Sequence, residues 1–134
     1  MPATSGYSGK PLFQKLGLKP GMTCLTIGAP ENYENLIEGA EDVRVSARVR
    51  SADVIHAFCR SRRELEKVAP KALAASRTGS MIWILWPKKS SSMFVDLTED
   101  GVREVMLPTG WVDVKVCAVD EDWSGLKFLK RRET

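Results

Sequence analysis

Residues Met81 to Trp86, Met-Ile-Trp-Ile-Leu-Trp, form an unbroken apolar run that stops at Pro87 and opens onto Lys88-Lys89-Ser90-Ser91-Ser92. Such a run, entered from Gly79 and closed by proline, reads as a buried strand. A buried strand needs neighbours on both sides and a cover on its faces. That requirement limits the chain to a layered domain built on a central sheet. In open α/β sheets, ligands bind beyond the carboxyl ends of the strands. The loop after Trp86, cationic and rich in hydroxyls, therefore marks an expected working edge.

The segments around this strand alternate in kind. Met22 to Ile27 reads as a first strand, broken by Gly28-Ala29-Pro30. Glu31 to Glu38 follows as a short helix with Tyr33, Leu36 and Ile37 inward. Val43 to Val49 alternates apolar and polar residues, the period-two pattern of a half-exposed strand. Asp53 to Cys59 is a third strand. Ser61 and Glu64 have the spacing of a capping box, and Leu65, Val68, Ala69, Ala72 and Leu73 continue at helical spacing past Pro70, which predicts one bent helix. Thr98 is placed as an N-cap with Glu99 and Asp100 in the first turn. Trp111 to Val119 and Gly125 to Lys130 form two further strands, joined as an antiparallel hairpin, with Trp123 in the turn between them. Lys10 to Leu16 predicts a short leading helix. The expected architecture is an α/β three-layer sandwich whose mostly parallel sheet ends in an antiparallel hairpin. Residues 1–9 are expected to be flexible, residues 10–131 to form one domain, and residues 132–134 to fray.

Composition excludes several functions. With 134 residues there is room for one core. Basic residues exceed acidic ones by 20 to 17, an excess too small and too scattered to predict nucleic-acid binding. No apolar run approaches the ~20 residues that span a bilayer, and the polar N-terminus has no signal-peptide core. The three cysteines cannot all pair within the chain, which fits a reduced, cytoplasmic setting. Cys59, at a strand end, is the thiol to test for reactivity. His56 is the only histidine, and in an apolar strand it reads as a satisfied core residue. No metal ligand set is present.

The order of elements resembles a trimmed class I, Rossmann-like methyltransferase. The local text that carries this is Leu18-Lys19-Pro20-Gly21-Met22 leading into a strand and Gly28, then Ala52-Asp53-Val54-Ile55, then Gly79-Ser80-Met81-Ile82. Over nearly the whole chain, the segments SGYSGKPLFQKLGLKPGM, WPKKSS, DLTEDGVREVMLPTG and VDVKVCAVDEDWSGLKF, with Asp122-Trp123-Ser124 as the firmest step, resemble a family of small bacterial proteins known as domain of unknown function 3052. That family implies the fold and a bacterial cytoplasm, and carries no catalytic residue over.

The methyltransferase resemblance implies a glycine-rich first turn, an acid in the first strand and another at the end of the second. Here only Gly28 matches. Pro30 removes a donor and adds a ring, Thr26 stands where an acid belongs, and Arg48 and Arg50 end the second strand. S-adenosylmethionine is therefore not expected, nor is any other cofactor, and the reading leans away from an enzyme. The expected function is a non-catalytic ligand- or partner-binding module on a methyltransferase-like scaffold. The alternatives are a divergent S-adenosylmethionine-dependent methyltransferase and a protein–protein adaptor using the hairpin edge. The expected ligand residues are Gly28, Pro30, Asn32, Lys88, Lys89, Ser90 and Ser91, binding a small anion; a protein partner is the other expectation, and neither nucleic acid nor a membrane is expected. The scattered arginines read as a solvated face, with Arg44 and Arg48 on one side of the same strand.

Overall fold

A computed structural model describes residues 10–131; the segments 1–9 and 132–134 lie outside the described residues. Six strands, β1 (Thr23–Ile27), β2 (Arg44–Ser46), β3 (Val54–Phe58), β4 (Met81–Pro87), β5 (Trp111–Ala118) and β6 (Trp123–Lys130), make one sheet in the order β2-β1-β3-β4-β6-β5. The first four are parallel. β6 runs antiparallel to β4, and β5 antiparallel to β6. This is the expected α/β sandwich. The carboxyl ends of β1, β3 and β4 meet at one edge, where β6 begins.

Alternating residues of the inner strands feed two separate apolar layers. Ile82, Ile84 and Trp86 of β4, with Ile55, Ala57, Leu126 and Phe128, pack under α3 (Arg62–Ala75) and α4 (Glu99–Met106). Trp83 and Leu85, with Val54, Phe58 and Trp123, pack under α1 (Leu12–Lys15) and α2 (Tyr33–Leu36). Trp83 and Trp86 thus lie on opposite faces, as a separation of three in a strand requires. Gly125 leaves room for Trp83, since a Cβ there would stand 3.2 Å from its ring.

Three local expectations are corrected. The alternating stretch 43–49 forms a strand only over Arg44–Ser46, because the chain must leave the sheet to cross β1, so Arg48 does not share a strand with Arg44. Trp123 opens β6 rather than sitting in the turn: Asp120 Oδ1 accepts from the backbone N–H of both Asp122 and Trp123 at 2.8 Å, which confines the turn to the acidic residues. Cys59 is fully buried between β3 and α3; burial, then the nearby Glu64 carboxylate, pushes its thiol up to about 12, so it is not a reactive group. Helix α3 runs unbroken through the exposed Pro70, with Leu73 half-buried against the core under it and Ala75 buried beyond.

The link from β2 to β3 has no helix. Residues 47–53 alone carry the chain over β1, whereas a parallel crossover ordinarily takes a dozen or more residues with a helix in it. Val49 touches the α3-side core from this link. The β1 face beside it is left with less cover than the rest of the sheet.

Candidate functional site

The capping sequence after β3 fixes the centre of the carboxyl edge. Ser61 Oγ accepts from the Glu64 N–H at 3.1 Å, closing the first turn of α3. The Glu64 carboxylate reaches back one residue further than a standard box. It accepts from the Arg60 backbone N–H at 3.2 Å and from Arg60 Nη1 at 3.4 Å. Arg60 is thereby held over the end of β3. Its Nη1 donates to the Gly28 carbonyl oxygen at 3.3 Å, and its guanidinium carbon lies 5.3 Å from the centre of the Trp123 ring. Trp123 is buried edge-on against Phe58, with centroids 5.0 Å apart.

Gly28 is needed in this arrangement. Its φ is +66°, and a Cβ would stand 2.7 Å from the Phe58 carbonyl oxygen. Beyond it, the Pro30 carbonyl accepts from the Tyr33 N–H at 3.0 Å. Asn32 precedes α2 with no side-chain capping bond and is exposed. Gly28 to Asn32 and Lys88 to Ser92 thus share one edge, with Arg60 between them.

The loop after β4 is committed to the hairpin. Lys88 Nζ donates to the Asp120 carbonyl, and the Lys88 N–H to the Asp122 carbonyl at 2.8 Å. Ser91 is buried and its hydroxyl donates to Asp122 Oδ1 at 2.9 Å, while Ser91 Oγ also accepts from the Met93 N–H. Lys89 and Ser90 are exposed.

Sequence reasoning missed a cleft on the neighbouring face. It has a volume of about 630 Å³ and lies where the short β2–β3 crossover leaves β1 uncovered. Leu25, Thr26, Ile27 and Gly28 form its floor. Ala47, Arg48, Val49 and Arg50 of the crossover form one wall, and Lys71, Ala74 and Ala75 of α3 another. Its lining carries three cations and no carboxylate. Gly28 is the one expected ligand residue that lines it. The signal in the sequence was the missing helix between residues 49 and 54, together with arginines at 48 and 50.

His56 sits in a buried chain of hydrogen bonds on the opposite face. A carbonyl only accepts, so His56 Nε2–H donates to the Leu16 oxygen at 3.0 Å, and Nδ1 accepts from the Tyr33 hydroxyl at 2.8 Å. Cys24 Sγ lies 3.6 Å from the Tyr33 oxygen. Burial lowers the His56 pKa to about 4, the Leu16 bond opposing, and raises Tyr33 and Cys24. The imidazole is neutral, fully partnered and sealed from solvent, as expected of a structural histidine. Among the described residues no group of His, Cys, Asp and Glu could hold a metal ion, and no helix is long and apolar enough to cross a membrane.

No protein-family model matches the chain, and no curated protein matches it. Solved structures do. A SAM dependent methyltransferase from Aquifex aeolicus superposes with a TM-score of 0.58 at 16% identity, over 86% of this chain and 85% of that one. The ribosomal protein L11 methylase of Lactobacillus delbrueckii subsp. bulgaricus gives 0.57 at 10% identity, over 90% and 75%. The 1,6-didemethyltoxoflavin-N1-methyltransferase of Burkholderia thailandensis, solved with S-adenosylhomocysteine, gives 0.58 at 14% identity, over 90% and 75%. At these identities the likeness establishes a methyltransferase-like, Rossmann-type fold.

Proposed function

We propose that this chain is a non-catalytic binding module for a small anion, built on a methyltransferase-like scaffold that does not take S-adenosylmethionine. The observation that carries this reading is the cleft lined by Arg48, Arg50 and Lys71 with no carboxylate, beside an edge that Arg60, paired with Glu64, crosses from the Gly28 carbonyl to the Trp123 ring. The donor set supports it too. A ribose diol calls for a carboxylate acceptor, and the crossover that follows β2 offers Arg48 and Arg50 beside a cleft without one. Function follows such site chemistry rather than the fold. The resemblance to domain of unknown function 3052, with its bacterial cytoplasmic setting, belongs to the same proposal.

The second reading, a divergent methyltransferase, draws its support from the activities of the structural neighbours. Thermal unfolding separates the two. A ligand at 100 times its Kd stabilises by about 2.7 kcal/mol. Millimolar S-adenosylmethionine or S-adenosylhomocysteine is expected to leave Tm unchanged; a rise of several degrees favours the methyltransferase.

A further inference from the structure

We propose that the cleft between the β2–β3 crossover and α3 binds an amphipathic anion, a single carboxylate or phosphate head on an apolar tail. This rests on reading the chain as a ligand-binding module and names the class of its ligand. Two independent features point to it. The first is charge. Arg48 and Arg50 reach the cleft from the crossover and Lys71 from α3, and no carboxylate lines it. Among the described residues none of the three has an ion pair, whereas Arg60, Arg62, Arg77 and Arg103 each have a carboxylate partner. Cations on two walls with no counter-charge attract an anion and reject a cation. A neutral ligand would leave them with nothing to pair.

The second feature is the floor. Over the buried Leu25 and Ala75, the apolar surface that remains open belongs to the half-buried Ile27 and Val49 and the exposed Ala47 and Ala74. These surfaces are left open because no helix occupies the crossover. An inorganic anion would meet the cations and leave this apolar strip wet. An apolar tail of the right length would cover it, each buried methylene contributing about 0.8 kcal/mol. The volume of about 630 Å³ falls within the ordinary range for small-molecule sites.

The test is amide-resolved NMR titration of the full chain with octanoate, octyl phosphate, acetate and octan-1-ol. Octanoate or octyl phosphate is expected to give saturable shifts at Ile27, Gly28, Val49 and Ala74; whichever binds tighter identifies the head as carboxylate or phosphate. Acetate and octan-1-ol are expected to bind at least tenfold more weakly. The double substitution Arg48→Gln, Arg50→Gln is expected to weaken binding at least tenfold. Ala74→Glu, at an exposed helix position, places a carboxylate on the wall and is expected to abolish it while keeping a dispersed spectrum. The proposal is overturned if neither amphiphile gives saturable shifts, if acetate or octan-1-ol matches them, or if folded Ala74→Glu binds as wild type does. Shifts from S-adenosylhomocysteine at the same amides would instead contradict the non-methyltransferase reading, whatever octanoate does.

Discussion

The Arg60 guanidinium lies over the indole of Trp123, 5.3 Å from the ring centre, while its Nη1 holds the Gly28 carbonyl at 3.3 Å. One side chain therefore ties the ends of β1, β3 and β6. A half-exposed cation–π contact contributes about 0.5–1 kcal/mol, and the exposed pair with Glu64 no more than about 1. Arg60→Ala is expected to cost roughly 1 kcal/mol in urea denaturation. Trp123→Ala, which empties a buried site against Phe58, is expected to cost about 3–5 kcal/mol. Equal losses would mean that the arginine carries more of the edge than its contacts explain.

Gly28→Ala tests the backbone of the same edge. The added methyl meets the Phe58 carbonyl at 2.7 Å in a left-handed conformation. The expected loss is about 1–3 kcal/mol, read from the denaturation midpoint at unchanged m-value. A neutral substitution would show that the turn relaxes freely, contrary to the geometry described.

His56 predicts the acid side of the stability profile. Its folded pKa of about 4 lies below the ordinary 6.5, so the unfolded state binds more protons between those values. Stability is full above about pH 6.5 and falls on acidification towards pH 4. The slope approaches about 1.4 kcal/mol per pH unit, for a total on the order of 3 kcal/mol. His56→Gln is expected to flatten this window in pH-dependent denaturation, at a cost in stability at neutral pH. Tyr33→Phe leaves Nδ1 buried without a donor and is expected to cost about 1–3 kcal/mol.

The three cysteines are all buried and free. Burial raises each thiol, Cys24 to about 11 and Cys59 to about 12. Ellman's reagent is expected to react negligibly with the native chain at pH 8 and with three thiols once it is unfolded. Rapid modification of one thiol in the native state would contradict the burial.

The fold was legible because its signals are local. The apolar run 81–86, the Ser61–Glu64 spacing and the Thr98 cap each name an element without reference to distant residues, and Thr98 Oγ1 does accept from the Gly101 N–H. The two misplaced strand boundaries have tertiary causes: residues 47–49 leave the sheet to cross β1, and Asp120 draws the Trp123 N–H into register with β6. The cleft was least legible, since Ile27, Arg48 and Lys71 come from three elements and meet only through topology. Arg60 likewise gave no sign in the sequence that it would span from Gly28 to Trp123.

Isothermal titration calorimetry of the full chain with S-adenosylhomocysteine decides whether this scaffold still takes the methyltransferase cofactor. No heat of binding is expected at ligand concentrations up to a millimolar, because Arg60 crosses the edge and no carboxylate lines the cleft to take the ribose. A one-to-one isotherm with a micromolar Kd would contradict that expectation and identify the chain as a working cofactor-binding methyltransferase scaffold.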